Sequence, residues 1–386
     1  MREGWKTERF DNVFELQMGK TPSRNNPAYF SGDNVWVSIA DLKEKYISDS
    51  KEYISNEAVS DTGIAAVPAN TVIMSFKLSV GKCAITTKEL YTNEAIMSFR
   101  PKVDYSLIPD FIYYYLKGYH WQGANKAVMG ITLNKKSISN NKFSFPPLST
   151  QQQIVEELDL LNGIIEKQKA QLKELDTLAQ SLFYDMFGDP VTNEKGWKVK
   201  KLGEVCTEIK YGTSLPACAN GRYKYLRMCN LTNDGYLDLT DIKTIDIPDS
   251  EIEKCIVKYG DILFNRTNSI ELVGKTCMFD QDEPMVIAGY IIRVRLNQEL
   301  LPVVIARMFN MPSVKKFLRG MAKGAVNQAN INSKELASIN IPLPPLTLQQ
   351  QFAERVASIE HQKSLVKQSL KETETLFNSR MDYYFN

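Results

Sequence analysis

The sequence predicts an α+β protein: two tandem, pseudo-symmetric domains, each followed by a long helix, with the two helices paired as a coiled coil. Three observations predict it. The landmarks of the first half return in the same order in the second. Each repeat ends in a long run of apolar residues at alternating steps of three and four. The stretches before those runs read as strands with a few helices.

The repeat is explicit. Gly4-Trp5-Lys6 returns as Gly196-Trp197-Lys198, and Val80-Gly81-Lys82-Cys83 as Val273-Gly274-Lys275-Thr276. Phe145-Pro-Pro-Leu148 with Gln151-Gln-Gln153 returns as Leu343-Pro-Pro-Leu346 with Gln349-Gln-Gln351. A period near 190 residues is far too long for a solenoid, so each unit is a domain with an appendage. The segments are 1–150 (first domain), 151–187 (first long helix), 188–348 (second domain) and 349–386 (second long helix).

The globular parts come first in each repeat. Asn34 to Ile39, Thr71 to Phe76, Tyr223 to Met228 and Asp261 to Phe264 are β-branched and aromatic runs that predict strands. Pro109 to Lys117 and Pro302 to Met311 read as helices with proline near the start. Tyr113-Tyr114-Tyr115 within the first is expected in the core.

The appendages come next. Pro146-Pro147 and Pro344-Pro345 stop the preceding strand, and Ser149 or Thr150, and Thr347, are plausible N-caps. The first seam runs Ile154, Leu158, Leu161, Ile165, Leu172, Leu175, Ala179, Leu182 and Met186, broken at Gln168. The second runs Phe352, Val356, Ile359, Val366, Leu370 and Phe377, broken at Lys363 and Thr373. Each seam needs a partner: its own domain or the other helix. Their matched length and pattern favour the other helix.

Composition excludes several classes. With 43% hydrophobic and 24% charged residues the chain is ordinary globular material. No run of about 18 apolar residues exists, so no membrane span is expected. The N-terminus lacks an apolar h-region, so no signal peptide is expected. Six cysteines without C-x-x-C spacing suit reduced thiols rather than a disulfide framework. His120 and His361 are the only histidines, which disfavours histidine-based metal or triad chemistry.

Net charge is only +2, but its distribution points to a polyanion. From Phe111 to Val155 there is no acid, and Lys117, Lys126, Lys135, Lys136 and Lys142 occur. From Leu300 to Lys334 there is again none, with Arg307, Lys315, Lys316, Arg319, Lys323 and Lys334. A phosphate-facing surface excludes carboxylates, whereas a solvated face mixes signs. Both stretches contain polar loops, Gln122 to Asn134 and Lys323 to Lys334, rich in side chains suited to base edges. Gln122, Asn125, Lys126, Thr132, Asn134, Lys135 and Lys136 are candidate contacts in the first half. Lys323, Asn327, Gln328, Asn330, Asn332 and Lys334 are their counterparts. Lys20, Arg24 and Lys77, and Tyr211, Arg227, Arg266 and Asn268, complete the candidate DNA-binding set.

Two motifs fail on inspection. Asn26-Pro27-Ala28-Tyr29 lacks the second proline of an amino-methyltransferase motif, and no Gly-rich S-adenosylmethionine loop accompanies it. Ser269 to Thr276 is one residue short of a P-loop, with Ser269 where its first glycine belongs. No catalytic constellation and no metal set are expected.

Taken together, these residues resemble the specificity (S) subunit of type I restriction–modification systems over the whole length. The marks are Ile341-Pro-Leu-Pro-Pro-Leu-Thr-Leu-Gln-Gln-Gln351, its counterpart Phe143 to Gln153, the openings Gly4-Trp5 and Gly196-Trp197, and the loop Gly324 to Asn332. The first-half loop, Met129 to Asn134, matches less well. The resemblance implies two target-recognition domains separated by an antiparallel helix pair. Each domain would read half of a split DNA sequence. The helices would serve as ruler and as dock for two methyltransferase subunits. It implies no cofactor in this chain; S-adenosylmethionine would sit on the partners, which methylate adenine, while a motor-nuclease subunit cuts. It also implies a bacterial or archaeal cytoplasm and a role in host defence. The alternatives are a stand-alone DNA adenine methyltransferase and a coiled-coil scaffold without DNA.

Overall fold

The structure, a computed structural model, describes residues 4–122, 125–127, 130–325 and 328–386; the side chains of 125–127, 130–131 and 323–325 lie outside the description. It divides into two compact units, residues 1–169 with 368–386, and residues 170–367. The division cuts both long helices, so the units differ from the segments expected from sequence.

Each unit is closed by the same device. The strand that ends at the paired prolines lies antiparallel to the strand that opens the repeat: Lys6–Arg9 with Lys142–Phe145, and Lys198–Lys201 with Asn340–Leu343. The first unit has a five-stranded sheet in the order Phe14–Met18, Ile96–Pro101, Val72–Ser75, Cys83–Thr86, Tyr46–Ile47. The Val72–Ser75 strand is buried on both faces. Val72 and Met74 join the aromatic core of Phe10, Phe14 and Phe99, and Ile73 packs with Val35, Val37 and Leu90. That explains an unbroken apolar run where a half-buried strand would alternate. The second unit repeats the plan in a four-stranded sheet, Cys206–Tyr211, Ile291–Leu296, Ile262–Asn265, Thr276–Met278.

The long helices run Leu148–Phe187 and Leu346–Phe385. They begin straight after the paired prolines, so Ser149, Thr150 and Thr347 lie inside the first turn rather than at the cap. The Pro147 carbonyl accepts from the N–H groups of Thr150 and Gln151, and the Pro345 carbonyl from those of Leu348 and Gln349. The first member of each glutamine run has a structural task. Gln151 is buried; its Oε1 accepts from Ile108 N at 3.0 Å, and its Nε2 donates to the carbonyls of Pro146 (3.0 Å) and Ser106 (3.2 Å). Gln349 does the same: Oε1 accepts from Leu301 N at 2.9 Å, and Nε2 donates to Pro344 O (2.9 Å) and Glu299 O (3.0 Å). One side chain thus ties each long helix to the entry of the proline-led helix, Pro109–Gly118 or Pro302–Phe309.

The seams are antiparallel within each unit. In the first, Glu157 pairs with Arg380 and Gln168 donates to Ser369 Oγ at 2.8 Å. In the second, Lys363 meets Asp176 at 2.5 Å, and Phe183 and Phe187 pack on Phe352 with ring centroids 5.6 and 5.0 Å apart. Domain packing and helix packing occur together. Ile154, Leu158, Leu161 and Ile165 share one core with Phe111, Tyr114, Phe377, Met381 and Phe385. Phe183, Phe187, Phe352 and Val356 share another with Val304 and Ile341. Among the described residues, only Leu175, Ala179 and Ile359, with half-buried Leu182 and Val366, form a cluster from helix residues alone. Leu172 and Leu370 are also half-buried. Two seam positions move: Phe183 and Phe187 are buried where Leu182 and Met186 were expected. A helix of 3.6 residues per turn drifts about 20° per heptad against a 3.5 repeat, which carries the next residue inward. The second seam extends past Phe377 to Met381 and Phe385. Among the described residues, no helix is long and apolar enough to cross a membrane, and the six cysteines are free.

Candidate nucleic-acid interface

The polar loop of each acid-free stretch folds into a β-hairpin rather than a plain loop. Asn125–Ala127 pairs with Gly130–Thr132, and Lys323–Ala325 with Gln328–Asn330. Each hairpin hangs from its sheet by an equivalent backbone bond of 2.9 Å, from Leu133 N to Phe76 O and from Ile331 N to Arg266 O. Leu133 and Ile331 are buried and anchor it. In the second unit Thr267–Asn268 adds a third strand. A two-stranded ribbon is one of the shapes that B-DNA's major groove admits.

An asparagine and a short helix come after each hairpin. Asn134 caps Lys135–Asn140, its side chain accepting from Ser137 N at 2.8 Å. Asn332 caps Ser333–Ala337, accepting from the N–H groups of Lys334 and Glu335 at 2.9 Å each. Both were expected to read bases; their carbonyl oxygens are instead committed to starting these helices, where a side-chain acceptor satisfies orphan N–H groups. Lys135, Lys136 and Lys334 project beside the hairpins, exposed and without an ion pair among the described residues.

The second unit gathers its candidates. Arg266 lies 4.9 Å from the Tyr211 ring, and its buried Nε has no partner among the described residues. Tyr211 Oη accepts from Ser333 N (2.8 Å) and donates to Ser333 Oγ (2.9 Å), joining the sheet to the capped helix. Asn330 accepts from Thr267 Oγ1 at 2.9 Å, and Asn268 donates to Asn265 Oδ1 at 2.9 Å. Gln328 is exposed on the hairpin. Arg227 stands apart, paired with Asp241 at 2.8 Å, a hydrogen bond that raises its pKa.

The first unit gathers fewer. Thr132 ends the hairpin, and Lys77 comes directly after its point of attachment at Phe76. Gln122 is exposed, its backbone pinned by Asn141. Lys20 donates to the carbonyls of Thr62 and Gly63, ending a helix where cations suit the dipole. Arg24 forks onto Glu52 and stacks 4.2 Å from Phe30; its hydrogen bond lowers the Glu52 pKa. Lys20 and Arg24 therefore have structural employment. Asn327, and the side chains of Asn125, Lys126 and Lys323, lie outside the described residues.

The acid-free stretches are not single surfaces. Arg307 turns toward the long helices and pairs with Glu360 at 2.5 Å. Lys117 donates to Tyr113 Oη at 3.4 Å, and partial desolvation of its ammonium lowers its pKa. Lys315 donates to Asn233 O. Groups remote in sequence, Glu360 beside Arg307 and Asn233 beside Lys315, enter these neighbourhoods, which a reading along the chain does not register. The helix Pro312–Met321, carrying exposed Lys316 and Arg319, was also missed; buried Val314 and Leu318, four apart, are its signal.

Both tempting motifs are turns. Asn26 accepts from Ala28 N at the start of the 3₁₀ turn Pro27–Phe30, and Tyr29 Oη donates to Asp61. Gly274, at φ +81°, donates to Asn265 O, and Lys275 donates to Leu231 O at 3.0 Å. This is the connection between two strands, built like its counterpart at Gly81, φ +92°. Among the described residues no group of three His, Cys, Asp or Glu side chains is placed to hold a metal ion.

Comparison with known proteins agrees with this architecture. The sequence matches the family described as type I restriction modification DNA specificity domain twice, over residues 2–175 and 194–375. It is 25% identical to the type I restriction enzyme MjaIX specificity subunit of Methanocaldococcus jannaschii, over 61% of this chain and 60% of that protein. It is 26% identical to the EcoKI specificity subunit of Escherichia coli, over 55% of this chain and 49% of that protein. The matched stretch thus spans about half the length of these relatives. In fold it is similar to a solved structure of a type I restriction–modification complex (TM-score 0.63, 18% identity, covering 100% of this chain and 98% of the other). It is also similar to the S subunit from M. genitalium (TM-score 0.55, 14% identity, 98% and 95%). With both halves matched, the chain belongs to the type I restriction–modification DNA specificity family.

Proposed function

We propose that this chain is the sequence-reading subunit of a type I restriction–modification complex, and that it does no chemistry itself. The observation that carries the reading is the duplicated hairpin, hung from equivalent carbonyls and leading into an asparagine-capped helix with uncommitted lysines. Exposed lysines supply the salt-dependent attraction to phosphate, and a ribbon carrying Gln328 supplies groups for base edges. Two such devices read two half-sites, and the DNA between them is crossed without being read.

The antiparallel helices act as the ruler. The internal repeat gives the chain a pseudo-two-fold character, so two copies of one methyltransferase partner dock on it. Those partners bring S-adenosylmethionine and the adenine-methylating site, and motor-nuclease subunits join through the complex. The setting is a prokaryotic cytoplasm.

The test is the methylated motif in cells expressing this chain with its cognate methyltransferase subunit. The expected result is one split motif that disappears without this chain. Methylation by the isolated chain, or duplex affinity insensitive to salt, would overturn the reading.

A further inference from the structure

Lys363 occupies a seam position of the second long helix, yet its side chain is 3% exposed. A lysine there costs desolvation that an apolar residue would avoid, and a polar seam residue is a known means of fixing register at the expense of stability. Its partners come from two other elements. Nζ donates to Asp176 Oδ1 on the first long helix (2.5 Å) and to Tyr236 Oη on the second domain (2.6 Å). Tyr236 also accepts from Arg307 Nη1 (2.9 Å) and donates to Glu360 Oε1 (2.9 Å); Arg307 Nη2 reaches the same carboxylate at 2.5 Å. The phenol oxygen is fully used: two bonds accepted, one donated.

The turn that presents Tyr236 is itself fixed. Gly235 adopts φ +83°, and a Cβ there would crowd the Asn310 side chain and lie 3.0 Å from Thr276 O. Tyr236 N donates to Thr232 Oγ1 at 3.0 Å. The first unit has a cluster of the same plan. Lys45 pairs with Asp110 (2.6 Å) and with Asp159 of the long helix. Tyr46 donates to Asp110 (2.6 Å) and Tyr114 to Asp159 (2.5 Å). In both units a domain tyrosine, a proline-led helix and a long helix meet through one lysine and its carboxylates.

We propose that Tyr236 and Lys363, with Asp176, Glu360 and Arg307, are positioning residues that hold the second reading domain in one register and orientation on the helix pair, and so restrict the complex to one spacer length. A slide of the second helix by one turn, about 5.4 Å, separates Lys363 from both partners at once, and a slide of the first separates it from Asp176. This inference rests on the DNA-reading function proposed above and adds a residue-level origin for spacing fidelity.

The experiment uses the assembled complex of this chain with its methyltransferase subunits. Methylation rates are measured on duplexes carrying both half-sites with the native spacer and with one base pair more or fewer. The variants are Tyr236→Phe, which removes one oxygen from a packed ring, and Lys363→Met, which keeps the length and apolar stem. The expected result is a roughly tenfold or greater fall in discrimination between native and altered spacers, with half-site bases unchanged. Lower activity on every duplex with discrimination intact, or failure of both variants to assemble, would show a merely structural role and overturn the proposal. A wild-type complex that methylates no split sequence would overturn the function itself; a wild-type complex with one spacer whose two variants keep it would overturn the lock alone.

Discussion

Replacing Gln349 with leucine tests the glutamine clamp directly. The side chain is fully buried and makes three bonds, from Leu301 N and to Glu299 O and Pro344 O, at 2.9–3.0 Å. Leucine is of similar size but leaves three main-chain groups without that partner. At about 1 kcal/mol per buried group, the loss is about 3 kcal/mol. A Gln349→Glu variant adds a sign. A carboxylate there can accept from Leu301 N but cannot donate to two carbonyls, so its folded-state pKa must rise above the unfolded value of about 4.3. A raised pKa means that stability is retained below about pH 4.3 and lost as pH climbs through the folded value. The glutamate variant therefore recovers stability in acid relative to wild type, and the leucine variant does not. Hydrogen exchange of the amides from Leu300 to Phe309 is the assay. About 3 kcal/mol corresponds to exchange more than a hundredfold faster through unfolding. Less than a tenfold change in Gln349→Leu would refute the clamp, as would equal pH profiles for the two variants. Gln151→Leu is expected to do the same around Ile108 while sparing the second unit.

The interface and the helices yield further expected outcomes. Lys135→Ala or Lys334→Ala is expected to weaken all duplexes alike and lower the salt-dependence slope by about one unit, read by titration at several salt concentrations. Gln328→Ala is expected to relax preference at a position of the second half-site by about 1–3 kcal/mol, seen as a degenerate base in the methylated motif. Leu175→Asp places a charge in the cluster with Ala179 and Ile359; helix content by circular dichroism and partner binding should fall together, at a cost of several kcal/mol. Four residues inserted between Leu178 and Leu182 lengthen the helix by about 6 Å, nearly two base-pair steps. The methylated motif should then carry a spacer one or two base pairs longer with both half-sites unchanged; an active variant with the old spacer would refute the ruler.

Features with a local cause were legible in the sequence. The Pro-Pro stops, the strand runs and the four-three seam each arise from neighbours along the chain. The duplication made both domains visible. What escaped depends on partners far away in sequence. Asn134 and Asn332 looked like base readers because their type suits adenine, yet the same chemistry suits a helix cap. Arg307 looked phosphate-facing because no acid lies near it in the chain; Glu360, 53 residues on, neutralises it. Lys363 looked like a flaw in a seam and is a junction of three elements. Arg293, fully buried on the strand Ile291–Leu296 and paired with Glu208 of the neighbouring strand, gave no signal at all.

The division of the chain into units bears on how it is made. The first unit's core contains Phe377, Met381 and Phe385, about two hundred residues after the rest of that unit. At synthesis rates of about 5–20 residues per second, the interval between its two parts is roughly ten to forty seconds. Throughout that time the apolar faces of Phe111, Tyr114 and Tyr115 await their covering helix. The nascent first unit thus keeps apolar surface uncovered until Phe377 to Phe385 are made, whereas the second, continuous in sequence, completes its own core first.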